Sequence, residues 1–197
     1  PHRTEVAGFM TILHGDDRFY NNIFVQHWPV TESEVHQDMG FFMKANQVVG
    51  TAEFDGYPTY EEWIKPFKVG EHASMFELED HFFDRLPVWA AGNVYLDGAK
   101  AWEKEADKLV VPDSNVTLAL EERDGKYTLK TNVYDFLKDY RCGVISSDTL
   151  GLAFEPEQRF ENPDGTDIIF DADYFGGHRG PETMPGPFAA AVDGIQL

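Results

Sequence analysis

The sequence predicts an all-β fold, and three observations carry that reading. Its apolar residues fall into short runs rich in Val, Ile, Phe and Tyr rather than into stripes spaced three and four apart. Most of these runs are bounded by Gly, Asp or Asn, residues that accept turn geometry. Arg123-Asp124-Gly125-Lys126 separates an alternating stretch (Val116, Leu118, Leu120) from Tyr127-Thr128-Leu129-Lys130. An Asp-Gly pair in that setting is among the strongest hairpin signals a sequence offers.

Along the chain, Val6 to Leu13, Phe19 to Val25, Phe41-Phe42-Met43 and Val48-Val49 read as strands. Asn21-Asn22 ahead of Ile23 has two readings that spacing leaves open. Asn tolerates the left-handed region and can stack its amide on the next layer of a parallel β-helix, or the pair is an ordinary β-turn. Pro58-Thr59-Tyr60-Glu61-Glu62-Trp63-Ile64 predicts a short helix, with Thr59 and Glu62 forming a capping box and Pro66 ending it. Phe76 to Phe83 reads as loop or short helix, and this zone as a connection wrapped over the strands. From Asn93 the pattern returns to strands: Asn93 to Leu96, the hairpin, Arg141 to Ser146 and Asp167 to Phe170. Several short strands with frequent Gly and Asp turns imply a β-sandwich.

Acids outnumber Lys and Arg by 35 to 16, for a formal charge of −19. Such a surface repels phosphate backbones and anionic lipid, so neither nucleic acid nor membrane is expected as a partner. Acidity of this kind serves solubility, and neutral sugars remain compatible because they bind through hydroxyls and aromatic faces. Cys142 is the only cysteine, which excludes an intrachain disulfide and a cysteine-rich zinc site. It sits in what reads as a buried strand, as a small hydrophobe. No apolar run approaches the ~18–20 residues of a membrane span, and no signal-peptide core stands at the N-terminus, so a cytoplasmic location is expected. Asn115-Val116-Thr117 matches the glycosylation sequon, a pattern too short to carry weight.

The densest polar cluster is Pro1 to Phe24. Glu5 stands where an apolar strand begins, with His2 and Arg3 close by. It is either a surface residue paired with Arg3, or a general acid whose pKa neighbouring apolar surface would raise. His14-Gly15-Asp16-Asp17 offers metal-ligand types, but such a loop more often makes an Asx-turn with one Asp pairing Arg18. Arg18 and Tyr20, two apart on a strand, face one side; they line a sugar site or form a cross-strand pair. His27-Trp28-Pro29 adds an aromatic, and Tyr174 to Glu182 is a glycine-rich segment that reaches a cleft or simply lies exposed. There is no G-x-S-x-G, P-loop, G-x-G-x-x-G or H-E-x-x-H, which removes several large enzyme classes.

Pro-His-x-Thr-Glu-Val-Ala-Gly at 1–8, Gly-Asp-Asp-Arg-Phe-Tyr-Asn-Asn-Ile-Phe at 15–24 and Gly-Asn-Val-Tyr-Leu-Asp-Gly-Ala-Lys at 92–100 resemble the β-xylosidases of glycoside hydrolase family 120. The resemblance is to the C-terminal part of those enzymes and is sharpest in these stretches. It implies the end of a right-handed parallel β-helix over 1–52, a connection over 53–92 and a β-sandwich over 93–197. It also implies a retaining mechanism without a cofactor or metal. Glu5 would be the acid/base and an Asp upstream of Pro1 the nucleophile, with Asp16 or Asp17 as alternative acids. Adjacent β-helix layers lie ~4.8 Å apart, which suits the ~5–5.5 Å carboxyl separation of a retaining enzyme.

The function expected is therefore part of a β-xylosidase-like hydrolase acting on short xylo-oligosaccharides. His2, Arg3, Arg18 and Tyr20 are candidates for binding substrate or tuning Glu5. The expected partners are a neutral sugar, the upstream part of the same enzyme, without which the chain would be inactive, and a second copy in a homo-oligomer. The rival reading is a non-catalytic carbohydrate-binding or assembly sandwich, with Trp28, Trp89 or Trp102 as the sugar platform.

Overall fold

The computed structural model describes residues 15–28, 48–68, 84–154, 156–191 and 194–196. The fold is all-β, with a few helices of one turn or slightly more. Strand β1 (Asp17–Tyr20) pairs in parallel with β3 (Val88–Ala91). Strands β2 (Ile23–Val25), β4 (Asn93–Leu96) and β5 (Lys108–Val111) form a second parallel ladder in the order β2-β4-β5. The segment read as a connection thus contains β3, and the stretch read as sandwich contributes β4 and β5 to ladders that begin with β1 and β2. Strand direction leaves no trace in the alternation of one chain, so pairing across this distance was not legible.

Between β1 and β2 the chain bends at Asn21 (φ 58°), and between β3 and β4 at Gly92 (φ 71°). Both are left-handed positions, costly for most side chains and tolerated by Asn and Gly. The register places the bends one above the other, since Tyr20 lies opposite Ala91 and Ile23 opposite Val94. At Gly92 a side chain would also crowd its neighbours. A Cβ would meet Asn21 Oδ1 at 2.2 Å.

Strand β4 is buried along its whole length. Its Val94 and Leu96 pack into a core with Met184 and with Val133 and Leu137 of a short helix α2 (Val133–Leu137), after the helix α1 (Tyr60–Ile64) described below. On the opposite face Tyr95 stacks on Phe24, with centroids 5.2 Å apart and planes at 15°. Burial on both faces is the setting of a parallel strand, and each such aliphatic or aromatic side chain contributes about 1.5–3 kcal/mol.

The remaining strands are antiparallel. β6 (Leu118–Arg123) and β7 (Lys126–Thr131) form the hairpin expected from the sequence, and β10 (Ile195–Gln196) adds to β7. Asp124 (φ 54°) and Gly125 (φ 73°) give its turn two consecutive left-handed residues, as a primed turn requires. β8 (Cys142–Gly143) pairs with β9 (Glu182–Thr183).

Of the strand expected over Arg141 to Ser146 only Cys142–Gly143 forms, and the one expected at Asp167 to Phe170 does not extend; the two stretches meet at one bridge, Ser146 to Ile169. Helix α3 (Ser147–Leu150) intervenes, and the Ser147 hydroxyl accepts the Ile168 N–H at 2.8 Å. Side-chain bonding there replaces a ladder. The same substitution shapes α1, where Thr59 and Glu62 form the reciprocal capping box and Pro66 opens a separate 3₁₀ turn. Phe76 to Phe83 lies outside the described residues. No helix among the described residues is long and apolar enough to cross a membrane.

Candidate functional site

The end of β1, the double-Asn bend and the start of β2 form one wall of a groove of about 860 Å³. Tyr20, Asn21, Asn22 and Phe24 line it from this side, and Phe170, Asp173 and Tyr174 line it from the C-terminal turns. The two walls are joined by backbone. Gly186 N–H donates to the Asn21 carbonyl at 2.8 Å, and Tyr174 N–H to the Pro187 carbonyl at 2.8 Å. Gly186 (φ 86°) lies so close that a Cβ would fall 2.6 Å from Ile23 Cδ1.

The bend is fixed from within. Asn22 donates its backbone and side-chain N–H groups to Asn93 Oδ1 at 2.9 and 3.0 Å. Asn93, fully buried, donates in turn to the Phe19 carbonyl at 2.7 Å and to Glu105 Oε1 at 2.8 Å. The amide therefore does stack on the Asn of the next layer. Tyr95 donates to Glu105 Oε2 at 2.6 Å, and Trp102 N–H donates to Thr51 Oγ1, which lies 2.8 Å from the Tyr95 hydroxyl. Since the carboxylate accepts from Tyr95, Thr51 is left to donate to it. Burial, reinforced by the bond to Glu105, pushes the Tyr95 phenol far above its ordinary range.

Arg18 and Asp16 act as a clamp. The guanidinium donates to the carbonyls of Leu150 (2.7 Å) and Leu152 (2.6 Å) and to the carbonyl and carboxylate of Asp16 (2.9 and 2.7 Å). It also lies over the rings of Trp89 and Phe160, 4.2 and 4.7 Å from their centroids. Asp16 Oδ2 accepts the Phe154 N–H at 3.0 Å. Both Asp16 oxygens are thus engaged in fastening residues 150–154 to β1. The Asp–Arg pairing is present, and no cluster of three or more metal-ligating side chains occurs among the described residues.

Tyr20 differs from Arg18. Its hydroxyl has no hydrogen-bond partner among the described residues, and burial raises its pKa despite the opposing charge of Arg18. Asp173, across the groove, accepts N–H groups from Ala189, Gly177 and Phe175, which hold its carboxyl below the usual range. The buried Arg179 beside it donates to the Met184 and Gly186 carbonyls and fixes the turn that carries the groove wall.

His2, Arg3, Glu5 and His14 lie outside the described residues; of the others singled out in sequence, Arg18 and Tyr20 line the groove together, while Asp16 and Trp89 meet Arg18. Phe170, Tyr174 and Asn22 were not singled out as site residues. The Tyr174 segment offered the one signal, as a glycine-rich loop with an aromatic. Of the three tryptophans considered as a sugar platform, Trp102 is 2% exposed and closed to any ligand, Trp89 is covered by the Arg18 guanidinium, and Trp28 is 66% exposed.

No protein-family model matches the chain, and no curated protein matches it. Among solved structures, XylC in complex with xylose matches 93% of this chain with a TM-score of 0.71 and 27% sequence identity. The chain spans 26% of the length of that protein. The likeness links this chain to a protein whose structure holds xylose.

Proposed function

We propose that this chain forms part of a retaining β-xylosidase-like glycoside hydrolase acting on short xylo-oligosaccharides. The observation that carries the reading is the likeness to XylC bound to xylose, which extends over nearly the whole of this chain. It is supported by the groove beside the double-Asn bend, whose lining combines aromatic rings with the Tyr20 hydroxyl, which has no hydrogen-bond partner among the described residues. In this reading the parallel ladders belong to β-helix coils and the antiparallel sheets to a sandwich.

Glu5 protonates the leaving glycosidic oxygen while an Asp outside this chain attacks the anomeric carbon. Glu5 then takes a proton from the water that releases the sugar, with two inversions giving net retention. His2 and Arg3 flank Glu5 in sequence and tune or orient it. Tyr20 hydrogen-bonds sugar hydroxyls, and Arg18, which also lines the groove, holds Leu150 at its edge.

Glu5→Gln in the active enzyme tests the assignment. Turnover of an aryl xyloside with a poor leaving group should fall by about 10²–10⁴-fold. Azide should restore turnover on a substrate with a good leaving group, yielding the β-xylosyl azide. Undiminished turnover in the variant would overturn the role of Glu5.

A further inference from the structure

Phe170 and Tyr174 expose 58% and 65% of their surface at the rim of the groove. Both rings line the same cleft, where aromatic side chains are the usual partners of an apolar sugar face. Neither is carried on slack chain. Phe170 N–H donates to the Ile145 carbonyl at 2.9 Å and Tyr174 N–H to the Pro187 carbonyl at 2.8 Å. The Tyr174 ring stands edge-on to Phe175 (5.2 Å, 85°) and Phe188 (6.0 Å, 77°). The Asp173 carboxylate further ties down Phe175, Gly177 and Ala189 through their N–H groups. The Tyr174 ring and the backbone that carries Phe170 are set in advance of any ligand, which lowers the ordering cost of binding.

Three properties select the ligand. The formal charge of −19 disfavours anions, which points to a neutral molecule. The Tyr20 hydroxyl, unengaged among the described residues, both donates and accepts, which suits a ligand carrying hydroxyl groups. The groove, at about 860 Å³, lies near the top of the ~300–1,000 Å³ range of drug-sized ligands, so a single pentose would leave most of it open.

We infer that Phe170 and Tyr174 form a second sugar position of this groove, stacking on the ring of a β-linked pentose oligomer next to the one held near Tyr20. The platform makes the site read oligomers in preference to single sugars. This rests on the sugar-binding reading above and adds the residues that set chain-length preference.

Calorimetric titration of the protein with xylose and with xylotriose tests it. Xylotriose should bind at least about tenfold more tightly than xylose, a difference of about 1.4 kcal/mol. Phe170→Ala and Tyr174→Ala should each bring the ratio of the two affinities towards one, while Phe170→Tyr and Tyr174→Trp, which keep a ring, should preserve it. Circular dichroism of each variant guards against a folding defect. Equal affinity for the two sugars, or a ratio indifferent to both alanine variants, overturns the platform and leaves the sugar-binding reading standing. Failure of xylose and xylotriose alike to bind overturns both. Loss of self-association in the alanine variants, with sugar affinity unchanged, would assign the rings to a protein interface and overturn the proposal.

Discussion

At the scale of single residues, the strongest constraints are buried hydrogen-bonding groups whose partners are fixed. Asn93 serves the Phe19 carbonyl, Glu105 and Asn22 at once, and Glu105 is itself 2% exposed. Asn93→Ala should cost about 1–3 kcal/mol, because it strips the Phe19 carbonyl of its side-chain donor, Asn22 of its acceptor and Glu105 of one of its donors, with Tyr95 still bonded to the carboxylate; the midpoint of urea unfolding measures this. Cys142 makes the complementary case. Burial, with the nearby Asp107 adding to it, pushes its thiol up to about 11, and its Sγ–H donates to the Thr183 carbonyl at 3.3 Å. Because the folded pKa lies above the unfolded one (about 8.5), the neutral thiol favours folding below the unfolded value. That contribution fades as pH rises through the folded one. Ellman's reagent at pH 8 should therefore leave Cys142 unlabelled in the native protein and label it promptly in urea; equal rates in both would refute its burial. That Cys142 lies in a buried strand was legible, since Val144-Ile145 follow it closely. That Asn93 is a hub was not, because a lone Asn before Val-Tyr-Leu carries no mark of its three partners.

At the scale of elements, turns were more legible than pairings. The Asp124-Gly125 hairpin and the Thr59–Glu62 capping box both form as read, because each depends on residues adjacent in sequence. The resemblance implied parallel layers, but the particular pairings of β1 with β3 and of β2 with β4, and the groove beside them, were not legible, because they depend on residues 70 or more apart meeting in register. Such a contact has no local signature, and the Arg18 clamp to Leu150 spans 132 residues. One turn carries a pH dependence. Asp97, at a left-handed position (φ 54°), closes the β4–β5 connection. Burial alone would raise its pKa. The Ser114 hydroxyl and the N–H groups of Val116, Asn115 and Ser114 outweigh burial and hold it below the usual range. Its stabilising effect is complete above the unfolded value of about 3.9 and is lost as pH falls through the lower, folded one. Stability of the wild type should therefore decline on acidification across that window. Asp97→Asn should start less stable at pH 7 and show a shallower decline, as read from urea unfolding at steps between pH 2 and 6. An unchanged slope would sink the assignment.

At the scale of the whole molecule, one side chain joins the parallel layers to the turn-rich C-terminal region. Arg18 belongs to β1, yet its donors reach the carbonyls of Leu150 and Leu152, and Phe154 N–H comes back to Asp16. Few backbone ladders run between these regions among the described residues, so this clamp, the contact of Gly186 with Asn21 and the Met184 core contact carry much of the coupling. Replacing Arg18 by Met keeps the contact with Trp89 and Phe160 but removes every donor. It should cost about 3 kcal/mol. Lysine should recover less than half, since one ammonium cannot serve two carbonyls and a carboxylate in the planar arrangement the guanidinium fits. The distinguishing result is regional. If the clamp couples the two parts, Arg18→Met should expose residues 149–154 to limited proteolysis under conditions where β4 and β5 still resist hydrogen exchange. The groove should then lose sugar affinity without loss of the layers beneath it. Uniform destabilisation, with proteolysis and exchange rising together, would make Arg18 an ordinary packing residue and leave the coupling to contacts such as those of Gly186 and Gly143 with Asn21 and of Met184 with the core.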